Sequence, residues 1–248
     1  MLTKTKASVA LLLTLAAQTA FAVPVEYQFT TGTTTYAYLP LGDGSTVPVP
    51  VPPDPLLASL AGLPISGTFQ YDSGAAASFV NGDGSITYGG AFSNLAATIG
   101  SYAITDGYGG VTVGNDTFTS PTLATPSDFL QLATTVSLSE PFDLTGFSVG
   151  TLQLVGVRLF WIEDYAPQPT PDFLTSSTLP ELLPSIGGRI ALDFVDPTGG
   201  PDGGLLVKRL FLDDLQVTAV PEPATLALLS IGLLALGGAR RSRDRARG

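Results

Sequence analysis

Residues 152–162 read LQLVGVRLFWI and form an almost continuous run of apolar side chains. Val, Ile, Phe and Trp are enriched in β-strands, and a short apolar run without a helical period favours a strand buried on both faces. Gly156 interrupts the run and predicts a bulge at that point. The segment therefore predicts a central strand of a β-sheet.

On both sides of this run, apolar and polar side chains alternate with the period of two that is typical of half-buried strands. The clearest alternation lies at residues 25–30, 65–71, 130–139, 189–194 and 211–217. Clusters of Gly, Asn and Asp, which favour turns, lie at residues 81–84, 106–110, 114–116 and 196–204. About ten short strands with these spacings predict an all-β fold, and we expect a single β-sandwich of the jelly-roll type.

Two Pro-rich stretches interrupt the alternation. Residues 46–55 read TVPVPVPPDP and residues 164–171 read DYAPQPTP. Both predict extended, polyproline-like loops, either as stiff surface connections or as binding loops. Neither is long enough to be a linker, so residues 23–219 are predicted to form one domain.

The composition excludes several kinds of chemistry. The 248 residues contain no His and no Cys. Disulfides, zinc sites of the Cys/His kind, cysteine nucleophiles and His-based triads are therefore excluded. Only 13% of the residues are charged, against 44% hydrophobic, which is typical neither of a disordered chain nor of a cytosolic protein.

Charge is distributed unevenly along the chain. Residues 23–219 carry nineteen acidic side chains and only four basic ones, Arg158, Arg189, Lys208 and Arg209. The other seven basic residues lie in the two terminal segments. A domain this acidic is not expected to bind nucleic acid, because binding to a polyanion requires a basic surface.

Residues 1–22 have the pattern of a secretory signal peptide. Lys4 and Lys6 form a positive start, residues 7–17 are apolar, and Ala20 and Ala22 frame a small-x-small cleavage site. We expect this segment to be a signal helix that the general secretion machinery reads, with a mature chain that begins at Val23. An uncleaved membrane anchor is disfavoured because the apolar run is too short to span a bilayer.

Residues 220–248 have a second three-part pattern. Val220, Pro221, Glu222 and Pro223 come first, and an apolar stretch, 224–239, follows. As a helix this stretch is about 24 Å long, close to the roughly 30 Å of a bilayer core, so it predicts a short transmembrane helix. The arginines beyond it hold that end in the cytoplasm while residues 23–219 lie outside. These arginines are Arg240, Arg241, Arg243, Arg245 and Arg247.

This ending resembles the PEP-CTERM sorting signal of exported bacterial proteins. The resemblance implies recognition by an exosortase, an integral-membrane cysteine transpeptidase, which reads the motif at residues 220–223 and cuts near it. It implies a stop-transfer role for the arginine cluster, and a Gram-negative source that makes exopolysaccharide. An ordinary anchor that stays uncut is the alternative for this segment.

For the domain between the two signals we expect a non-catalytic protein of the cell envelope or extracellular matrix, linked to exopolysaccharide or biofilm. No cofactor is expected. Three alternatives remain: a carbohydrate-binding module, a hydrolase with two carboxylates, and weak calcium binding in Gly-rich loops. Their candidate residues are, respectively, Tyr102, Tyr108, Trp161 and Tyr165; Glu140, Glu163 and Asp164; and the loops at 81–85 and 196–202.

Overall fold

The chain is described here from a computed structural model. It describes residues 24–32, 34–40, 46–50, 57–60, 62–118, 126–134, 148–163, 173–196 and 206–221. The predicted signal peptide, the apolar stretch 224–239 and the arginine cluster lie outside these ranges, and so do Glu222 and Pro223. Within the described ranges, no helix has the length and apolar character needed to span a membrane.

The described residues form twelve β-strands and one 3₁₀ turn, Leu57–Leu60. The strands are β1 (Val25–Thr30), β2 (Thr34–Pro40), β3 (Thr46–Pro50), β4 (Ile65–Tyr71), β5 (Phe79–Val80), β6 (Ile86–Ile99), β7 (Tyr102–Phe118), β8 (Ser127–Ala133), β9 (Ser148–Val149), β10 (Leu152–Ile162), β11 (Gly188–Asp196) and β12 (Leu206–Ala219). The all-β prediction is confirmed.

Eight strands close into an antiparallel barrel in the order β1-β4-β6-β7-β8-β10-β11-β12. The last strand returns to the first, with Ala219 opposite Tyr27 and Val217 opposite Phe29. The prediction of a jelly-roll sandwich is therefore wrong. A sandwich and a barrel both bury one face of each strand, so the alternation of side chains is the same in both.

Four short strands extend the barrel sheet. β2 continues along β12 beyond the end of β1, and β3 pairs with β2 so that Tyr36 lies opposite Pro50. Residues 46–50 are thus a strand, and the prediction of a polyproline-like loop is wrong for them; residues 51–55 lie outside the described ranges. β5 and β9 pair with β6 and β10. Pro is tolerated in β3 as in other edge strands.

Aromatic and branched side chains fill the barrel interior. The rings of Tyr27 and Phe69 are stacked with their centroids 5.5 Å apart, and Phe92 meets Phe69 edge-on at 5.4 Å. Trp161 and Phe194 are completely buried in the same cluster. Burial of such side chains stabilises the fold by about 1.5–3 kcal/mol each, so the interior is a packed core.

The segment at residues 152–162 is strand β10, between β8 and β11. The register with β11 shifts between Leu154 and Gly156, which confirms the predicted bulge. Val157, Leu159 and Trp161 are fully buried, whereas Arg158 and Phe160 on the other face are half-buried. The expectation of burial on both faces therefore holds only for residues 154–157, since Gln153 is exposed.

Two of the predicted turns are parts of one long strand. Residues 106–110 and 114–116 lie inside β7. A Cβ on Gly109 would lie 1.7 Å from the carbonyl oxygen of Ala133, so glycine permits the close approach of β8. The glycines that suggest a turn here serve close strand packing instead. The turn at residues 81–84 is confirmed, between β5 and β6.

The barrel has two ends, which we call the exit pole and the far pole. At the exit pole β1 begins, β4 ends and β12 ends, so that Val25, Tyr71 and Ala219 lie there. At the far pole β6 turns into β7 at Gly100 and Ser101. Leu57 and Leu60 of the 3₁₀ turn, which precedes β4 at this pole, are buried in the core.

Candidate functional site

The four-residue motif that begins at Val220 follows directly on the last barrel strand. Ala219 is paired with Tyr27, and the backbone N–H of Val220 donates a 2.8 Å hydrogen bond to the carbonyl oxygen of Glu26. Pro221 is exposed and is the last described residue. The structure thus places Val220 and Pro221 at the exit pole, without a spacer between barrel and motif.

A segment at residues 173–187, which we call the strap, runs along the exit pole between β10 and β11. Tyr71 donates a 2.6 Å hydrogen bond from Oη to the carbonyl of Pro180, and Tyr88 donates one of 2.9 Å to Ser177. Leu183 donates its N–H to the Tyr27 hydroxyl. Core side chains therefore hold the strap in place by their polar ends.

Burial keeps Tyr71 and Tyr27 neutral. It raises the pKa of Tyr71 far above its ordinary value, and the neighbouring Tyr27 acts in the same direction. Burial also raises the pKa of Tyr27, against the hydrogen bond from Leu183. Since a neutral phenol can both donate and accept a hydrogen bond, the contacts of Tyr71 and Tyr27 to the strap persist at any physiological pH.

Asp128 fixes the beginning of the strap. Its carboxylate accepts hydrogen bonds from the N–H of Leu174 at 2.8 Å and of Asp116 at 3.0 Å, and its own N–H donates to Glu163. Burial raises the pKa of Asp128, against the lowering effect of those N–H donors. The acid ties β7, β8 and the strap together.

The strap ends beside the last strand. The N–H of Val217 in β12 donates to the carbonyl of Ser185 at 2.9 Å, so the strap continues the ladder beyond the start of β11. Gly188 then pairs with Leu215. The strand that leads to the motif is therefore held by β1 on one side and by the strap on the other.

An ion-pair cluster lies on the outer face of β10, β11 and β12. Asp193 accepts a 2.8 Å hydrogen bond from Nε of Arg158 and also pairs with Arg209. Burial raises the pKa of Asp193, and Arg158 counteracts the shift. Arg189 pairs with Asp213 at 2.7 Å. These three arginines brace neighbouring strands, because each cation meets an acid within the sheet.

The calcium hypothesis concerns a turn whose polar groups bind one another. Asp83 accepts hydrogen bonds from the N–H and hydroxyl of Ser85, which lower the pKa of Asp83. Asn81 donates to Ser85 and Thr87. Across the described ranges no cluster of three or more acids is arranged to hold a metal ion. Of the second loop, 196–202, only Asp196 is described, as the end of β11.

The carbohydrate and hydrolase hypotheses gain no support from the described candidates. Trp161 is fully buried, so its ring is a core side chain and cannot stack on a sugar. Tyr102 packs partly buried against the core. Glu163 accepts a backbone hydrogen bond from Asp128. Glu140, Asp164 and Tyr165 lie outside the described residues, and so does the side chain of Tyr108.

The strap and its anchors are the feature of the exit pole that the sequence did not predict. Tyr71, Tyr88 and Asp128 come from three different strands, and no spacing joins them. The one signal in the sequence is Asp128 itself, an acid at the start of an apolar strand. Its burial needs a partner, which the backbone of the strap supplies.

Comparison with known proteins identifies the C-terminal motif. The family model described as the PEP-CTERM protein-sorting motif matches residues 219–242. Neither the curated proteins nor the solved structures give a match. The resemblance seen in the sequence is confirmed: the chain carries a PEP-CTERM signal, which indicates an exported protein that an exosortase, a membrane protein, recognises.

Proposed function

We propose that this PEP-CTERM protein is non-catalytic cargo, a barrel that the sorting signal delivers to the cell surface or the extracellular matrix. An exosortase would cut near Pro221, Glu222 and Pro223 and release the tail, and the barrel would then act in association with exopolysaccharide. The observation that carries the proposal is the match of the sorting motif to residues 219–242, directly after the last strand.

The barrel interior supports a role without catalysis. Its described positions are occupied by apolar and aromatic side chains, and the largest of them, Trp161, Tyr71 and Phe69, are fully buried. An enzyme site needs a concave pocket in which several polar groups converge. The polar contacts at the exit pole instead join the strap to the strands and are used for structure.

The position of the motif supports processing by a membrane enzyme. Pro221 is exposed, and Val220 is joined to the neighbouring strand through its N–H alone in the described hydrogen-bond network. A protease or transpeptidase needs an extended, accessible segment. Because β12 has a neighbour on each side, the chain becomes accessible only after its last paired residue. Cleavage after Pro221 would leave every barrel strand complete.

Mass spectrometry of both ends of the exported protein tests this proposal. We expect a chain that starts at Val23 and ends between Pro221 and Pro223. Glu222→Ala should retain the arginine tail, because the sorting enzyme no longer reads the motif. Glu181→Ala, which changes an exposed acid of the strap, is the matched control and should be processed normally. An intact tail on the mature wild-type chain would contradict cleavage and show that the segment is an uncut membrane anchor.

A further inference from the structure

The exit pole exposes large apolar side chains. In the part of the chain that the structure describes, the strongly exposed ones are Phe79, Val80, Leu182 and Ile186, at 51%, 67%, 69% and 63% of their surface. Val80 pairs with Ile86 at the start of β6, which is an exit-pole position. Leu182 lies in the strap next to Leu183, whose N–H contacts Tyr27.

Ile186 lies on the flank above that pole. It borders a shallow hollow with Thr30, Gly32, Asp214 and Gln216, on the outer side of β1 and β12. Ile186 is therefore set apart from the exposed apolar side chains at the exit pole itself. The other three, Phe79, Val80 and Leu182, lie at the exit pole, and exposed apolar side chains at one end of a small domain are typical of an interaction surface.

The sequence beyond Pro221 limits how far this surface lies from a membrane. Only Glu222 and Pro223 separate Pro221 from the apolar stretch that begins at Ala224. Three residue steps span at most about 11 Å, even when fully extended. Once that stretch enters a bilayer, Pro221, at the exit pole, is held within about 11 Å of the lipid surface.

We propose that Val80 and Leu182 contact the lipid bilayer while the precursor is tethered by its C-terminal stretch. This inference rests on the proposed function, since it needs the tail in the membrane. Exposed apolar side chains beside a tether enter the interface between headgroups and acyl chains, about 5–10 Å deep. The acidic domain is not drawn to anionic lipid by charge, so the contact is apolar.

Depth-dependent fluorescence quenching of the full-length chain tests the contact. The chain contains no Cys, so Val80→Cys, Leu182→Cys, Ser101→Cys and Leu229→Cys each give one site for an environment-sensitive label. Each variant is reconstituted into vesicles of phosphatidylethanolamine and phosphatidylglycerol that carry a lipid with a quenching spin label. Ser101 lies exposed at the far pole and is the matched control; Leu229 reports insertion of the tail.

We expect labels at 80, 182 and 229 to be quenched several-fold more than the label at 101. Quenching at 229 with no excess at 80 and 182 over 101 would overturn the lipid contact and leave the membrane tether intact. Absence of quenching at 229 would contradict the tether and the contact together. In the absence of lipid, a change in the emission of the label at 182 that grows with protein concentration would indicate contact with a second copy of the chain. That result would overturn the proposal.

Discussion

Gly188 and Trp161 show how one missing side chain shapes the core. A Cβ at residue 188 would lie 2.6 Å from Nε1 of Trp161, closer than any real contact. The ring therefore lies directly against the backbone of Gly188. Its indole N–H has no hydrogen-bond partner among the described residues. The largest core side chain therefore depends on a glycine at the first position of β11.

Gly188→Ala should lower the free energy of unfolding by about 1–3 kcal/mol, the usual cost of an overpacked core. Urea unfolding followed by fluorescence checks this, and Trp161, the single tryptophan, is the reporter. Gly82→Ala is the matched control, since a Cβ at residue 82 meets nothing within 4 Å. Equal stability of the two variants would mean that the ring shifts at no cost.

At the scale of elements, the strap connects β10 to β11 and also packs as part of the hydrophobic core. Phe173 and Leu179 pack against the core, and Leu174 and Leu183 are buried in it. Its backbone is held by Asp128 near one end and by Val217 near the other. We therefore expect the strap to unfold together with the barrel and not as a separate loop.

The pH dependence of stability tests the anchor Asp128. Because burial raises its pKa above the ordinary 3.8, the folded chain holds this proton more tightly than the unfolded chain. Tighter binding of the proton stabilises the folded chain. This stabilisation is fully present below about pH 4 and is lost as the pH rises through the raised pKa of Asp128. We measure the unfolding free energy of the wild type minus that of Asp128→Asn. We expect this quantity to fall as the pH rises from about 4 towards neutrality.

Asp83→Asn is the control of opposite sign. Hydrogen bonds from Ser85 lower the pKa of Asp83, so its contribution is present above its ordinary pKa and is lost as the pH falls. Urea unfolding at a series of pH values measures both variants. If the Asp128 difference grows with pH instead, the two N–H donors outweigh the burial of the carboxylate.

The sequence predicted the strands better than their arrangement. β1, β4, β11 and half of β12 follow from local alternation, and β10 follows from its continuous apolar run, because each residue reports its own burial. The pairing of Tyr27 with Ala219 joins the two ends of the domain, and no local pattern records it. The sorting motif was predictable because it is contiguous. The strap was not, since its anchors Tyr71 and Asp128 are scattered along the chain.

At the scale of the whole molecule, the last strand both closes the barrel and leads to the sorting signal. Residues 216–219 make the pairing with β1 that turns an open sheet into a barrel. Closure requires contact between residues nearly the whole domain apart, which is slow to form. The closing strand must be intact before and after processing if the mature protein is to keep its fold.

Two shortened chains test this requirement. A chain that ends at Pro221 keeps all described pairs, so we expect its melting temperature to match that of the barrel in the precursor. A chain that ends at Leu215 loses the pairing with β1 and the bond from Val217 to Ser185, and we expect it not to fold. Trp161 fluorescence and size-exclusion chromatography distinguish the two. A folded chain ending at Leu215 would show that closure is dispensable.

The bond between Val220 and Glu26 has a practical consequence for protein engineering. It brings the first and last described residues to the same pole, so Pro24 and Pro221 can be joined by a short linker without crossing the barrel. New ends can then be opened at the tight turn of Gly100 and Ser101. In such a circular permutant the new C-terminus lies at the far pole, so a tail attached there would leave the barrel from the opposite end.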